Sequence, residues 1–76
     1  MFEHGDWSGR HPATIQLLRW FEFGHLAEGR AREISQTFHL QAHLMVGELP
    51  DGPELTAGLR KLLEAKDCCV RAAIDA

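Results

Sequence analysis

The sequence predicts an all-α fold, in which a short N-terminal helix is followed by an antiparallel two-helix hairpin. Apolar residues recur at steps of three and four over two long segments, which is the helical period. The turn sequence PDGPE separates these segments, and after Pro53 and Gly58 the chain has no further proline or glycine. A short turn between two helices of similar length is typical of an antiparallel hairpin.

Residues 1–11 are predicted to form an N-terminal arm, and residues 12–76 a helical hairpin domain. The arm mixes glycine, charged residues and two isolated aromatic residues, Phe2 and Trp7, without a regular period. Chain termini of this kind usually pack loosely. We therefore expect an arm without a core of its own, whose two aromatic side chains are candidates for docking on a partner.

The first helix is expected to begin at Pro12 and to run for two to three turns. Proline suits the first turn of a helix, and Ile15 and Leu18 then lie on one face. An aromatic cluster follows, made of Trp20, Phe21 and Phe23. This cluster is too apolar to be left in water, so it should cover another element.

The second helix is expected to run from Ala27 or Arg30 to Leu49. Its predicted apolar stripe consists of Ala27, Ala31, Ile34, Phe38, Ala42, Met45 and Leu49. Pro50 ends the helix because proline has no N–H group to donate and restricts the residue before it.

The third helix should follow at once and continue to the C-terminus. Asp51 and Glu54 have the spacing of a capping box, with Pro53 in the first turn. The predicted apolar stripe is Leu55, Leu59, Leu62, Cys69 and Ala73, with Leu63, Val70 and Ile74 beside it. Such a face is wider than one facing helix covers. A chain of 76 residues buries only about 60% of its unfolded surface, so we predict a homo-oligomer.

Composition and charge argue against several classes of protein. With 8 basic against 11 acidic residues, the net charge of −3 disfavours binding to duplex nucleic acid. The sequence contains no apolar run of about 20 residues and no secretory leader, so a soluble intracellular protein is expected. Cys68 and Cys69 are adjacent on a helix and cannot pair with each other, so we expect reduced, small packing residues.

The side chains that carry chemistry give little support for an enzyme or a metal protein. His39 and His43 lie four residues apart and could chelate a metal from one helix face, with His25 or Glu48 as a third ligand. Histidines at the surface or partly packed are the favoured alternative. No catalytic constellation is evident, so the sequence predicts no enzymatic activity, no metal and no cofactor.

Arg71 lies among small residues in the last two turns of the third helix. The polar face there reads Arg60, Glu64, Asp67, Arg71 and Asp75. A solvated face of ion pairs is one interpretation. In the other, the small neighbours let copies of the helix approach closely, and the converging arginines share a phosphate.

Two segments, FEFGHLAEGRAREISQTFHLQAHL and LPDGPELTAGLRKLLEAKDCCVRA, resemble the small phage proteins that share the anti-CBASS and anti-Thoeris hairpin domain. The similarity covers roughly residues 12–75. It implies helical hairpins that assemble into homo-oligomers, commonly hexamers. It also implies sequestration of cyclic nucleotide immune signals, without cleavage, in the cytoplasm of an infected bacterial host.

The resemblance also implies two ligand sites. Arg71 matches the arginine that lines a pocket on the three-fold axis of the oligomer, where cyclic trinucleotides are held. Phe23 matches an aromatic residue that stacks on the base of a cyclic dinucleotide or cyclic ADP-ribose isomer. Gln36, or else Arg30 or Arg32, matches the cation that meets its phosphate. The competing interpretation is a structural or protein-interaction hairpin without a small-molecule ligand.

The predicted homo-oligomer can be tested by sedimentation velocity. We expect the protein at micromolar concentration to sediment as an oligomer, because its apolar face exceeds what one chain can cover. Sedimentation as a monomer would contradict this prediction.

Overall fold

The structure is a computed structural model that describes Trp7, residues 9–24 and residues 26–75. The described part of the chain contains three helices and no strand: α1 (Pro12–Arg19), α2 (Arg30–Glu48) and α3 (Pro53–Asp75). The predicted all-α class and the order of the elements are therefore confirmed. No helix in these ranges is long and apolar enough to cross a membrane.

The helix boundaries follow from local chemistry. α1 begins with proline, and the Ala13 amide donates to Nδ1 of His11 over 3.0 Å. Before α2, Gly29 adopts a φ of 140°, a conformation that side chains with a Cβ rarely tolerate. α2 ends where Leu49 turns extended, as expected for the residue before Pro50.

The core lies where the three helices meet. α2 packs mainly against α3, and α1 lies against both. The buried apolar residues are Leu18, Phe21, Ala42, Val46, Leu55 and Leu59. The predicted aromatic cluster is thus split, because Phe21 is fully buried whereas Trp20 is 58% exposed.

The buried face of α2 differs from the predicted stripe. The buried residues are Ser35, His39, Ala42, His43 and Val46. The face is shifted because aromatic residues before α2 pack onto the two histidines. Leu40 and Leu44 consequently point outward, each about half exposed.

The core also ends earlier along α3 than predicted. Leu55 and Leu59 are buried, but the last buried residue is Lys66. Beyond it the core cluster includes no residue of α3, so none of the described core residues covers the final turns. Cys68 and Cys69 are free and exposed, which corrects the expectation that they pack.

Asp51 joins the N-terminal segment to the connection between α2 and α3. Its carboxylate accepts from the His11 amide over 3.0 Å, from the Thr14 hydroxyl over 2.8 Å and from Arg10 Nε over 3.2 Å. The Asp51 carboxylate therefore binds the N-terminal segment and the start of α1, not the first turn of α3 as the capping box would require. Since α3 begins at Pro53, Gly52 occupies the N-cap position, and the predicted role of Asp51 there was wrong.

Arg10 completes this connection by satisfying carbonyl groups at the end of α2. Its guanidinium donates to Val46 O over 2.5 Å and to Leu49 O over 2.7 Å. The last carbonyls of a helix have no hydrogen-bond donor within the helix, so the guanidinium of Arg10 supplies donors from outside it. With Trp7 half-buried against the core, the described part of residues 1–11 is anchored, contrary to the expected loose arm.

Asp51 should make stability depend on pH. The His11 amide and then the Thr14 hydroxyl hold the pKa of Asp51 below 3.8. A carboxyl whose pKa is lowered by folding stabilises above its unfolded pKa, and this contribution is lost as pH falls through the folded pKa. We therefore expect Asp51→Asn to lower the urea midpoint at pH 7, and the gap to narrow below about pH 3.8.

The exposed neighbour Glu54 provides the control for this measurement. Glu54→Gln should leave the midpoint nearly unchanged at both pH values. A gap for Asp51→Asn that is equally large at pH 7 and below pH 3.8 would contradict the role of its ionised form.

Candidate functional site

The segment after α1 is held in place by hydrogen bonds to two consecutive carbonyl groups. Lys66 Nζ, from α3, donates to the Trp20 carbonyl. His39 Nδ1, from α2, lies 3.1 Å from the Phe21 carbonyl oxygen. A carbonyl only accepts, so this contact places the imidazole proton on Nδ1. The segment is thereby tied to both long helices.

Phe23 extends from this segment and lies between two side chains of α2. Its ring meets His39 edge to face, with the centroids 5.0 Å apart and the planes at 74°. The Arg32 guanidinium carbon lies 5.6 Å from the Phe23 ring centroid, within the range of a cation–π interaction. The cation thus lies over the aromatic ring.

A polar depression lies beside Arg32 at the beginning of α2. It has a volume of about 490 Å³, is open to solvent, and is lined by Glu28, Gly29, Arg32, Glu33 and Gln36. Small-molecule sites typically have volumes of about 300–1,000 Å³. The depression is therefore large enough for a nucleobase with its sugar.

The charges around the depression are mixed. Arg32 contributes one guanidinium, and Glu28 and Glu33 contribute two carboxylates. The N-terminus of α2 adds the partial positive charge of the helix dipole. A ligand here needs hydrogen-bond donors for the carboxylates as well as an anionic group for the guanidinium.

The structure brings together three of the five predicted site residues. Arg32 contacts Phe23 and lines the same depression as Gln36. Arg30 is exposed as the first residue of α2 and is not among the lining residues. Among the alternatives for the cation, the geometry therefore favours Arg32, with the uncharged Gln36 beside it.

Arg71 lies apart from this group in the single chain. It is exposed on α3, and its Nη2 lies 3.5 Å from Cys68 Sγ. Within the described ranges, no contact of the structure joins Arg71 to Phe23 or Arg32. The two predicted ligand sites are thus separate.

The histidine pair is a packing feature of the core. His39 and His43 are 3% and 5% exposed, and their rings are tilted by 37° with centroids 4.3 Å apart. Trp7 covers His43 at 5.8 Å. Among the residues that the structure describes, no group of three side chains could hold a metal ion. The metal-chelating alternative gains no support from this arrangement.

Neither glutamate of the depression was predicted as a site residue, and the burial of His39 was not predicted either. Glu33 and Gln36 lie one turn apart on α2, a spacing that places them on one face. This spacing was a usable signal for Glu33. Nothing local predicts the contact between His39 and the Phe21 carbonyl, which lies 18 residues away.

A second cavity, of about 290 Å³, lies at the connection between α2 and α3. Its lining is mainly apolar and includes Met45, Leu49 and Leu55. Asp51 also lines it, but its carboxylate already binds the N-terminal segment. Its chemistry offers no cation for an anionic ligand.

Comparisons with known proteins give no family assignment. No family model matches the chain, and neither the curated proteins nor the solved structures show a match to it.

His39 is predicted to stabilise the fold through the Phe21 carbonyl. His39→Leu replaces the imidazole with an apolar side chain of similar size and leaves this carbonyl without its donor. We expect a loss of about 1–3 kcal/mol in the free energy of unfolding, measured by urea denaturation. Gln41→Leu, at an exposed position of the same helix, is the control. An unchanged free energy for His39→Leu would contradict this role.

Proposed function

We propose that the chain sequesters cyclic nucleotide immune signals without catalysis, as the resemblance to the anti-CBASS and anti-Thoeris hairpin domain implies. The observation that carries the proposal is the Phe23–Arg32 pair beside a polar depression. The ligand class comprises cyclic dinucleotides, cyclic trinucleotides and cyclic ADP-ribose isomers. Their capture inhibits anti-phage signalling in the cytoplasm of an infected bacterial host.

Each side chain of the site has a suitable chemistry. Phe23 is half-buried, and stacking of a base on its ring would be worth about 1–3 kcal/mol. The planar guanidinium of Arg32 can bind a phosphate with two parallel hydrogen bonds. Gln36 adds an amide that donates and accepts. Binding alone is sufficient for sequestration, so no nucleophile or general base is needed.

The second site forms, in this proposal, when antiparallel α2–α3 hairpins assemble into a homo-oligomer, such as a hexamer. Arg71 lies in the part of α3 that the core does not cover. Copies of Arg71 brought together on an axis repel each other unless an anion lies between them, and a cyclic trinucleotide supplies three phosphates. Exposed Ile74, at 66%, supports a partner on this part of α3.

The alternative function is a protein-interaction hairpin without a small-molecule ligand. Leu40 and Leu44 support it, since they lie one turn apart on α2 and are 51% and 50% exposed. An apolar pair of this kind suits a partner helix. The two functions differ in whether a cyclic nucleotide stabilises the protein.

Thermal unfolding with a panel of cyclic di- and trinucleotides and cyclic ADP-ribose isomers distinguishes them. A ligand at a hundred times its dissociation constant should stabilise the fold by about 2.7 kcal/mol. The bound ligand should be recovered intact from heated protein. If no member of the panel raises the unfolding temperature, the proposed sequestration of cyclic nucleotides is wrong and the protein-interaction hairpin is favoured.

The two sites are predicted to respond to different substitutions. Arg71→Ala should weaken cyclic trinucleotide binding at least about tenfold, the cost of losing one charged hydrogen bond, and leave the oligomer intact. Arg32→Ala should instead weaken cyclic dinucleotide binding, so each variant is the control for the other. Calorimetry measures both affinities. An unchanged trinucleotide affinity in Arg71→Ala would refute the axial site.

A further inference from the structure

We propose that the polar depression selects cyclic nucleotides that contain guanine, and that Glu33 determines this selectivity. This inference rests on the proposed function, because it concerns the base that stacks on Phe23. It starts from a feature that the resemblance does not imply: two carboxylates lie beside the single guanidinium of the depression.

The hydrogen-bonding groups of the depression narrow the choice of ligand. Ionised Glu33 only accepts hydrogen bonds, whereas the amide of Gln36 both donates and accepts. Both side chains line the depression, and they lie three residues apart on α2. Residues at this spacing are neighbours on the helix surface. Together they can offer a ligand two carboxylate acceptors and one amide donor.

Guanine is the base whose edge complements two carboxylate acceptors and one amide donor. Its N1–H and N2–H₂ groups donate in parallel, which suits the two oxygens of a carboxylate. The adjacent O6 accepts, which suits the Gln36 amide N–H₂. Adenine places the N1 lone pair where guanine has a donor, so a carboxylate repels it. Uracil offers one donor between two acceptors and fits no better.

Arg32 links the stacking residue Phe23 to the residues proposed to hydrogen-bond the base edge. Its guanidinium contacts the Phe23 ring and also lines the depression. In this proposal, a base stacked on Phe23 places its edge toward Glu33 and Gln36, which line the depression with Arg32. The carboxylates also repel phosphate, so a ligand that offers no donors to them binds weakly despite Arg32.

Glu33→Gln distinguishes hydrogen bonding to the base edge from electrostatic repulsion of the phosphates. This substitution removes a negative charge, so a carboxylate that acts only by repelling phosphate would weaken the binding of every anionic ligand. Its loss would then tighten cyclic di-GMP and cyclic di-AMP by the same factor. Base reading predicts opposite changes for the two ligands. Glu64→Gln removes an equal charge from an exposed position of α3 and is the matched control.

The experiment is calorimetric titration of the full chain and both variants with cyclic di-GMP and cyclic di-AMP at one ionic strength. We expect the wild type to prefer cyclic di-GMP about tenfold, as for one good paired contact to a base edge. In Glu33→Gln, cyclic di-GMP should bind about tenfold more weakly, and cyclic di-AMP equally or more tightly. Glu64→Gln should preserve the preference.

Three results would overturn the inference. Equal affinities of the wild type for the two ligands would overturn the inference but leave the proposed sequestration function intact. Equal tightening of both ligands in Glu33→Gln would have the same consequence. If no cyclic nucleotide tested binds, both the proposed sequestration function and this inference are wrong. Urea denaturation of each variant establishes that the fold is retained.

Discussion

The position of the candidate site depends on two hydrogen bonds to consecutive carbonyl groups. Lys66 from α3 donates to Trp20 O, and His39 from α2 donates to Phe21 O. Phe21 is fully buried between these contacts, so the segment after α1 has little freedom to move. Phe23 follows two residues later and is therefore held against α2, beside Arg32.

The same contacts explain why polar residues occupy the core. Burying an ammonium or an imidazole costs free energy unless hydrogen bonds replace those lost to water. Lys66 and His39 each make such a hydrogen bond, to the carbonyls of the two residues that follow α1. Because His39 and His43 occupy the buried face of α2, Leu40 and Leu44 are left about half exposed.

Much of the fold could be predicted because helix boundaries are local. Pro12, Gly29 and Pro53 mark the beginnings of the three helices through their own backbone preferences. The buried faces were predicted less well, because they depend on contacts across the chain. Lys66 and the Trp20 carbonyl are 46 residues apart, a separation that no periodic pattern reveals.

The candidate site shows the same division. Phe23, Arg32 and Gln36 were named from resemblance, and the geometry brings them together. The resemblance left the cation open between several residues, since sequence alone does not say which side chain reaches the aromatic ring. It gave no hint of Glu28 and Glu33. Their two carboxylates lie beside the guanidinium of Arg32, so the charges around the depression are mixed.

The most direct test of a nucleotide site beside Phe23 is amide chemical-shift mapping by NMR, with isotope-labelled protein titrated with cyclic di-GMP. We expect the largest shifts at Gly29, Glu33 and Gln36, around the depression. Shifts confined to Leu40 and Leu44, or no shifts at saturating ligand, would contradict it.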